Sequence, residues 1–159
     1  MNKRAVIKKI IAKLVAELDV YLRAAQFSRA EATHESSKAE NKYDTRGLEA
    51  SYLARGQSKQ AAELKAAIAE FETLAVKKFT ADEPIDLGAL VELDHDGEQG
   101  FYFIGPRAGG TEIVHDKNEI LVITPQSPLG AQLVGRKADQ PLQLDLGGRQ
   151  QSARVIRVE

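Results

Sequence analysis

No proline occurs before residue 84, and inside that span apolar and small residues recur twice at alternating intervals of four and three. Such a stretch can bury its apolar positions only as α-helix against another helix, because a mean spacing of about 3.5 residues keeps one seam turned toward a partner. The first seam is Ile7, Ile11, Leu14, Leu18, Tyr21, Ala25, Ser28 and Ala32; the second is Ala50, Leu53, Gln57, Gln60, Leu64, Ala67, Phe71 and Leu74. The connection between them is short and polar, which favours antiparallel neighbours and a reversal of the chain near residue 36. Apolar bulk is concentrated at the open end of this hairpin, and the seam thins to alanine, serine and glutamine toward the bend. A helix of about thirty residues rising roughly 1.5 Å per residue is about 45 Å long, which suits a probe better than a compact small domain.

The punctuation changes after residue 83, where all five prolines and ten of the twelve glycines lie. Short apolar or alternating runs, "ALVELDH", "GFYFIGP", "EILVITP", "PLQLDLGG" and "SARVIRVE", predict four or five strands. "HDGEQG" and "LGGRQ" have the composition of hairpin turns, which makes the sheet largely antiparallel. One helix is expected in "SPLGAQLVGRK", with Ser127 as N-cap, Pro128 at the first helical position and Gly135 at the end. The expected fold class is therefore α+β: a helical hairpin over residues 1–78, a linker over 79–86 ("FTADEPID") and a small antiparallel β domain with one short helix over 87–159. Charge divides at the same place. Residues 1–78 carry 15 Lys+Arg against 10 Asp+Glu, a balance of +5, and residues 79–159 carry 7 against 13, a balance of -6.

Composition removes several classes of function. There is no cysteine, so disulfide and thiolate chemistry are excluded, and His34, His95 and His115 are too scattered to suggest a metal cage. The basic N-terminus leads into an apolar stretch broken by Lys9 and Lys13 with no cleavage site after it, and no run is long enough to span a membrane. A cytoplasmic protein is expected. "GPRAGGTE" lacks the lysine-serine ending of a phosphate-binding loop and is read as a flexible loop, and Ser127, His115 and Asp116 lack the spacing of a hydrolase triad. The β half is acidic and the basic residues of the hairpin are dispersed, so a protein partner is favoured over direct DNA binding.

The acids that invite a chemical role lie in the bend, "HESSKAENKYDTRG", which gathers Glu35, Glu40 and Asp44. Ser37-Lys38-Ala39-Glu40 also fits a capping box, so Glu40 has a purely structural reading; Asp44 one turn later suits the positive end of the same helix.

"SPLGAQLVGRKADQ", residues 127–140, resembles the serine-proline-leucine-glycine helix segment of the bacterial GreA/GreB transcript cleavage factors, and "ENKY" at Glu40 to Tyr43 is similar to the glutamate-asparagine stretch at that family's coiled-coil tip. The resemblance covers nearly the whole chain, with "KYDTRGLEASYLARGQ" marking a divergent branch. It implies an N-terminal antiparallel coiled coil and a C-terminal FKBP-like domain that docks on RNA polymerase, with the hairpin entering the secondary channel. It also implies tip carboxylates that help hold a Mg²⁺ shared with the polymerase, whose own site then cleaves backtracked RNA; the isolated protein would hold none. The factor would be a monomer, not an enzyme by itself, and would meet nucleic acid only through the elongation complex.

Carried over residue by residue, the resemblance assigns the metal-holding role to Glu40, supported by Asp44 ahead of Glu35, because Ser37 stands where the family's D-x-x-E-N arrangement has its aspartate. Polymerase contact is assigned to Thr124, Ser127, Pro128 and Leu129, with Asn118 in the preceding turn. Ser37 keeps a non-cleaving channel occupant open as an alternative. A coiled-coil adaptor without a polymerase role is another. A prolyl isomerase reading has only Phe101, Tyr102 and Phe103 to line an aromatic pocket.

Overall fold

The computed structural model describes residues 1–34, 38, 45–95 and 97–159, the side chain of Leu146 excepted. Helices α1 (Lys3–Thr33) and α2 (Arg46–Glu72) are followed by strands β1 (Leu90–His95), β2 (Glu98–Ile104), β3 (Glu112–His115) and β4 (Asn118–Ile123), then the short helix α3 (Pro128–Leu133) and strands β5 (Pro141–Leu146) and β6 (Arg149–Val158). The long helical pair followed by a mostly antiparallel sheet is the α+β architecture expected from the spacing. Two compact units result, one made of Leu14–Ile68 and the other of Met1–Lys13 together with Ala69–Glu159.

In the helical unit the seam of α1 is as the spacing predicts, with Leu14, Ala25 and Ser28 buried and Leu18, Tyr21 and Ala32 half-buried. The α2 seam differs. Ala54 and Ala61 are buried, whereas Leu53 is 54% exposed and Gln60 faces solvent. A 4-3 repeat passing through Ala50, Gln57 and Leu64 can take either neighbour at the intermediate position. Alanine wins because it lets the α2 backbone approach a partner seam that is itself small; leucine there would need space this seam lacks. One bond crosses between the two helices, from Arg29 Nη2 to Ser58 Oγ at 3.3 Å.

The other unit contains a six-stranded sheet in the order β3-β4-β2-β1-β6-β5, antiparallel except for the parallel β2–β4 pair. Both faces of its centre are covered. On one face Val91, Leu93, Ile104, Ile123, Leu144 and Val155 form the core, closed by Leu133 of α3 and by Phe79 and Ile85 from the chain between α2 and β1. Ile85 is tied in by backbone bonds in both directions, its N–H donating to Arg136 O at 2.7 Å and its carbonyl accepting from Gly135 N at 2.8 Å. On the opposite face Phe103 meets Phe71, the ring centroids 6.1 Å apart, and a Cβ on Gly105 would lie 2.8 Å from the Phe71 ring. The close approach of the end of α2 to β2 therefore requires glycine at 105.

Six strands stand where four or five were expected, the addition being β3. It follows the glycine-rich run, which is a bonded turn and not a flexible loop: Gly105 N donates to Ile123 O, Gly110 N to Val122 O, and Val122 N back to Thr111 O, each at 2.8 Å. Both hairpin turns lie where the composition puts them, Gly97 between β1 and β2 and Gly147-Gly148 between β5 and β6, all with positive φ. At the free edge of β5 one side chain occupies both backbone groups of Asp145: Gln132 Oε1 accepts from Asp145 N at 2.8 Å and Gln132 Nε2 donates to Asp145 O at 3.0 Å.

Candidate functional site

The acids of the bend, Glu35, Glu40 and Asp44, lie outside the described residues, as does the Ser37-to-Glu40 capping box. Their flanks are defined. At the end of α1 the Thr33 hydroxyl donates back to Arg29 O at 3.0 Å. On the far side α2 begins at Arg46, preceded by Thr45, whose carbonyl accepts from Glu49 N at 2.9 Å and whose hydroxyl donates to Glu49 Oε1 at 2.8 Å. Thr45 and Glu49 thus serve the start of this helix, with the Glu49 carboxylate in its first turn where the backbone N–H groups favour negative charge. Among the described residues no group of three or more His, Asp or Glu is placed to hold a metal ion.

The corner between β4 and α3 brings four of the five residues expected at the docking surface together. Ser127 is the N-cap, with extended φ and ψ of -67° and 154°, and its Oγ accepts from Gly130 N at 3.1 Å. The same hydroxyl donates to Thr124 O at 2.8 Å, and Ser127 N donates to that carbonyl at 3.0 Å. Pro128 opens the helix and is exposed, while Leu129 is half-buried against the core. Gly135, at φ +86°, follows the end of the helix as expected.

Asn118 is not part of this corner. It begins β4 next to the Asp116-Lys117 turn, where both residues have positive φ, and lies roughly 16 Å from the other end of the strand at the usual rise per residue. Beside it His115 is buried; Asp116 Oδ2 approaches its Nε2 to 3.3 Å, yet neither ring nitrogen has a hydrogen-bonded partner among the described residues. Of the aromatic residues that an isomerase pocket would need, Phe103 is wholly buried and Tyr102 packs against the core.

The residue that shapes the corner and was not singled out from the sequence is Gly130. A Cβ there would stand 1.9 Å from Thr124 O, so the first turn of α3 can lie on the end of β4 only with glycine. Its signal was present in the serine-proline-leucine-glycine string, but local grammar explains only the serine and the proline. The carbonyl that excludes a side chain comes from six residues upstream.

No family model and no curated protein matches the chain. Solved structures do. GreA factor homolog 1 (Gfh1) of Thermus thermophilus is 22% identical over 94% of this chain and 94% of its own, with a TM-score of 0.39. The structural neighbours are GreA-factor homologues. Thermus aquaticus Gfh1 is 22% identical over 95% of this chain and 94% of its own at a TM-score of 0.40, and a structure described as the transcription factor Gfh1 is 21% identical over the same shares at 0.40. Values this low decide neither activity nor partner. Among the described residues no helix is long and apolar enough to cross a membrane.

Proposed function

We propose that this chain is a Gre-like transcription elongation factor of the cytoplasm that binds bacterial RNA polymerase and inserts the bend between α1 and α2 into the secondary channel. The observation that carries the reading is the combination, in one chain, of a proline-free helical pair interrupted by an acid-rich bend and a β domain bearing the Ser127-Pro128-Leu129-Gly130 corner. Thr124, Ser127, Pro128 and Leu129 form the docking corner, of which Pro128 offers the most exposed surface. Asn118, at the far end of β4, is a separate contact.

In the cleaving form of this function Glu40, with Asp44 and then Glu35, would help to hold a Mg²⁺ shared with the polymerase. Such an ion commonly takes only one or two protein carboxylates, and it would supply stabilisation of negative charge on the oxygens of the phosphoryl displacement. This chain contributes the carboxylates and their placement; the polymerase contributes the rest of the site. A second reading, a channel occupant that retunes polymerase without cleavage, is favoured by the neutral Ser37 at the position where the family pattern has an aspartate.

The test is RNA shortening in a backtracked bacterial elongation complex with Mg²⁺, with binding measured in parallel. The expected result is acceleration by the chain and its loss in Glu40→Ala and, more weakly, Asp44→Ala variants that still bind. Binding without acceleration selects the non-cleaving occupant, and absence of binding overturns both readings in favour of an adaptor.

A further inference from the structure

We propose that a cavity at the start of α1 binds a small organic anion that carries an apolar body, of the class of an alkyl phosphate. The cavity has a volume of about 460 Å³, inside the range of roughly 300–1,000 Å³ usual for small-molecule sites. Its lining comes entirely from one compact unit, from the first residues of the chain, the segment after α2 and the end of β6.

Val76 and the Phe79 ring supply apolar wall. Around them stand Lys3, Arg4 and Lys78. Lys3 is 7% exposed, and its ammonium is fixed by donation to Lys77 O and to Gly88 O, the latter at 3.2 Å, while lying 4.7 Å from the centroid of the Phe79 ring. Carbonyls and a ring face orient this cation, and burial holds its pKa below the usual lysine range against the opposing pull of the Glu159 carboxylate. Arg4 and Lys78 are exposed and have no carboxylate partner among the described residues.

The one acidic side chain in the lining is that of Glu159, and it is already engaged: Oε2 pairs with the Met1 amine at 2.6 Å and Oε1 with Arg157 Nη1 at 3.2 Å. The cavity therefore presents positive charge beside apolar surface, chiefly Val76, which is 41% exposed, and the edge of the otherwise buried Phe79 ring. A neutral hydrocarbon would leave the cations unanswered, and a bare inorganic anion would leave Val76 in water. Only an amphipathic anion answers both. The site does not depend on the polymerase reading.

Isothermal titration of the full chain with octyl phosphate, octanol and inorganic phosphate tests the assignment. Octyl phosphate is expected to saturate one site per chain, with the other two weaker by about tenfold or more. An Arg4→Glu/Lys78→Glu double variant changes only exposed side chains and is expected to weaken octyl phosphate binding about tenfold while leaving circular dichroism unchanged. Val76→Glu, which places a negative charge on the apolar wall, is expected to do the same. Equal binding of octanol or of inorganic phosphate, absence of saturable uptake, or undiminished binding in either variant overturns the proposal.

Discussion

Gly130 carries the clearest residue-scale consequence. With Thr124 O only 1.9 Å from where its Cβ would be, Gly130→Ala must push α3 away from the end of β4, because the two nearest atoms are the backbone carbonyl of Thr124. We expect a loss of about 3 kcal/mol, at the upper end of the range for overpacking, measured as a lowered urea midpoint with an unchanged slope. A polymerase-binding defect in that variant would report the corner's shape, not a contact made by residue 130. Glu83 gives a pH-dependent counterpart. The Thr80 N–H at 2.8 Å, and then the Lys77 ammonium at 3.1 Å, hold its carboxyl below the ordinary carboxylate range. Because the folded pKa is the lower one, the stabilisation is fully present above the unfolded value and is lost as pH falls through the folded value. Glu83→Gln should therefore be less stable than the parent chain near neutral pH, and the difference should close in strong acid when unfolding is followed across that range. The cap and turn residues here, Ser127, Pro128, Gly135 and Gly147-Gly148, were legible because their chemistry is local. The roles of Gly130 and Gly105 were not, because each is defined by an atom distant in the chain.

Among the elements, α2 shows how a correct period can leave the face undecided. The repeat through Ala50, Gln57, Leu64 and Phe71 is shared by two seams, and only the partner helix selects between Leu53 and Ala54 or between Gln60 and Ala61. The choice is testable by exchange of size. Leu53→Ala should cost less than about 0.5 kcal/mol, as for an ordinary surface change, whereas Ala54→Leu should cost about 1–3 kcal/mol by overpacking. Thermal unfolding of the two variants checks this, and the reverse order would restore the leucine seam. Strand β3 was missed for a different reason: it is four residues long, lies at the sheet edge and alternates exposed with buried positions too briefly to stand out after a glycine-rich run. At the opposite edge Gln132 occupies both backbone groups of Asp145. Removing it as Gln132→Ala leaves an open N–H and C=O on β5, and we expect a stability loss of about 1 kcal/mol with faster aggregation in light scattering.

The whole molecule divides unevenly in how it is held together. The sheet unit buries large side chains such as Phe71, Phe103, Leu93 and Ile104, while beyond Leu14 the helical unit's wholly buried positions are alanines and Ser28, and Phe27, Val20 and Tyr52 face solvent. Each buried methyl contributes only about 0.8 kcal/mol, so the helical unit should open more readily. In hydrogen exchange, amides within residues 14–34 and 45–68 are expected to lose protection before those of β1 and β2; the opposite order would mean that the small seam is the stronger one. The site division follows the same contrast: the α3 corner was readable as structure and resolves as structure, while the chemistry assigned to Glu35, Glu40 and Asp44 falls outside the described residues. The sheet unit is also discontinuous, since Met1–Lys13 belongs with Ala69–Glu159. On a ribosome the first of these segments is made well before Lys77 and Gly88, which hold Lys3, and strand β3, which engages Lys9, exist. It must wait for Gly88 and then Val114 to emerge, and a helical pair that closes early lowers the entropy cost of then joining the two segments by shortening the open loop between them. The hairpin is thus also a timing element, and breaking it should slow the maturation of a sheet to which it contributes no strand.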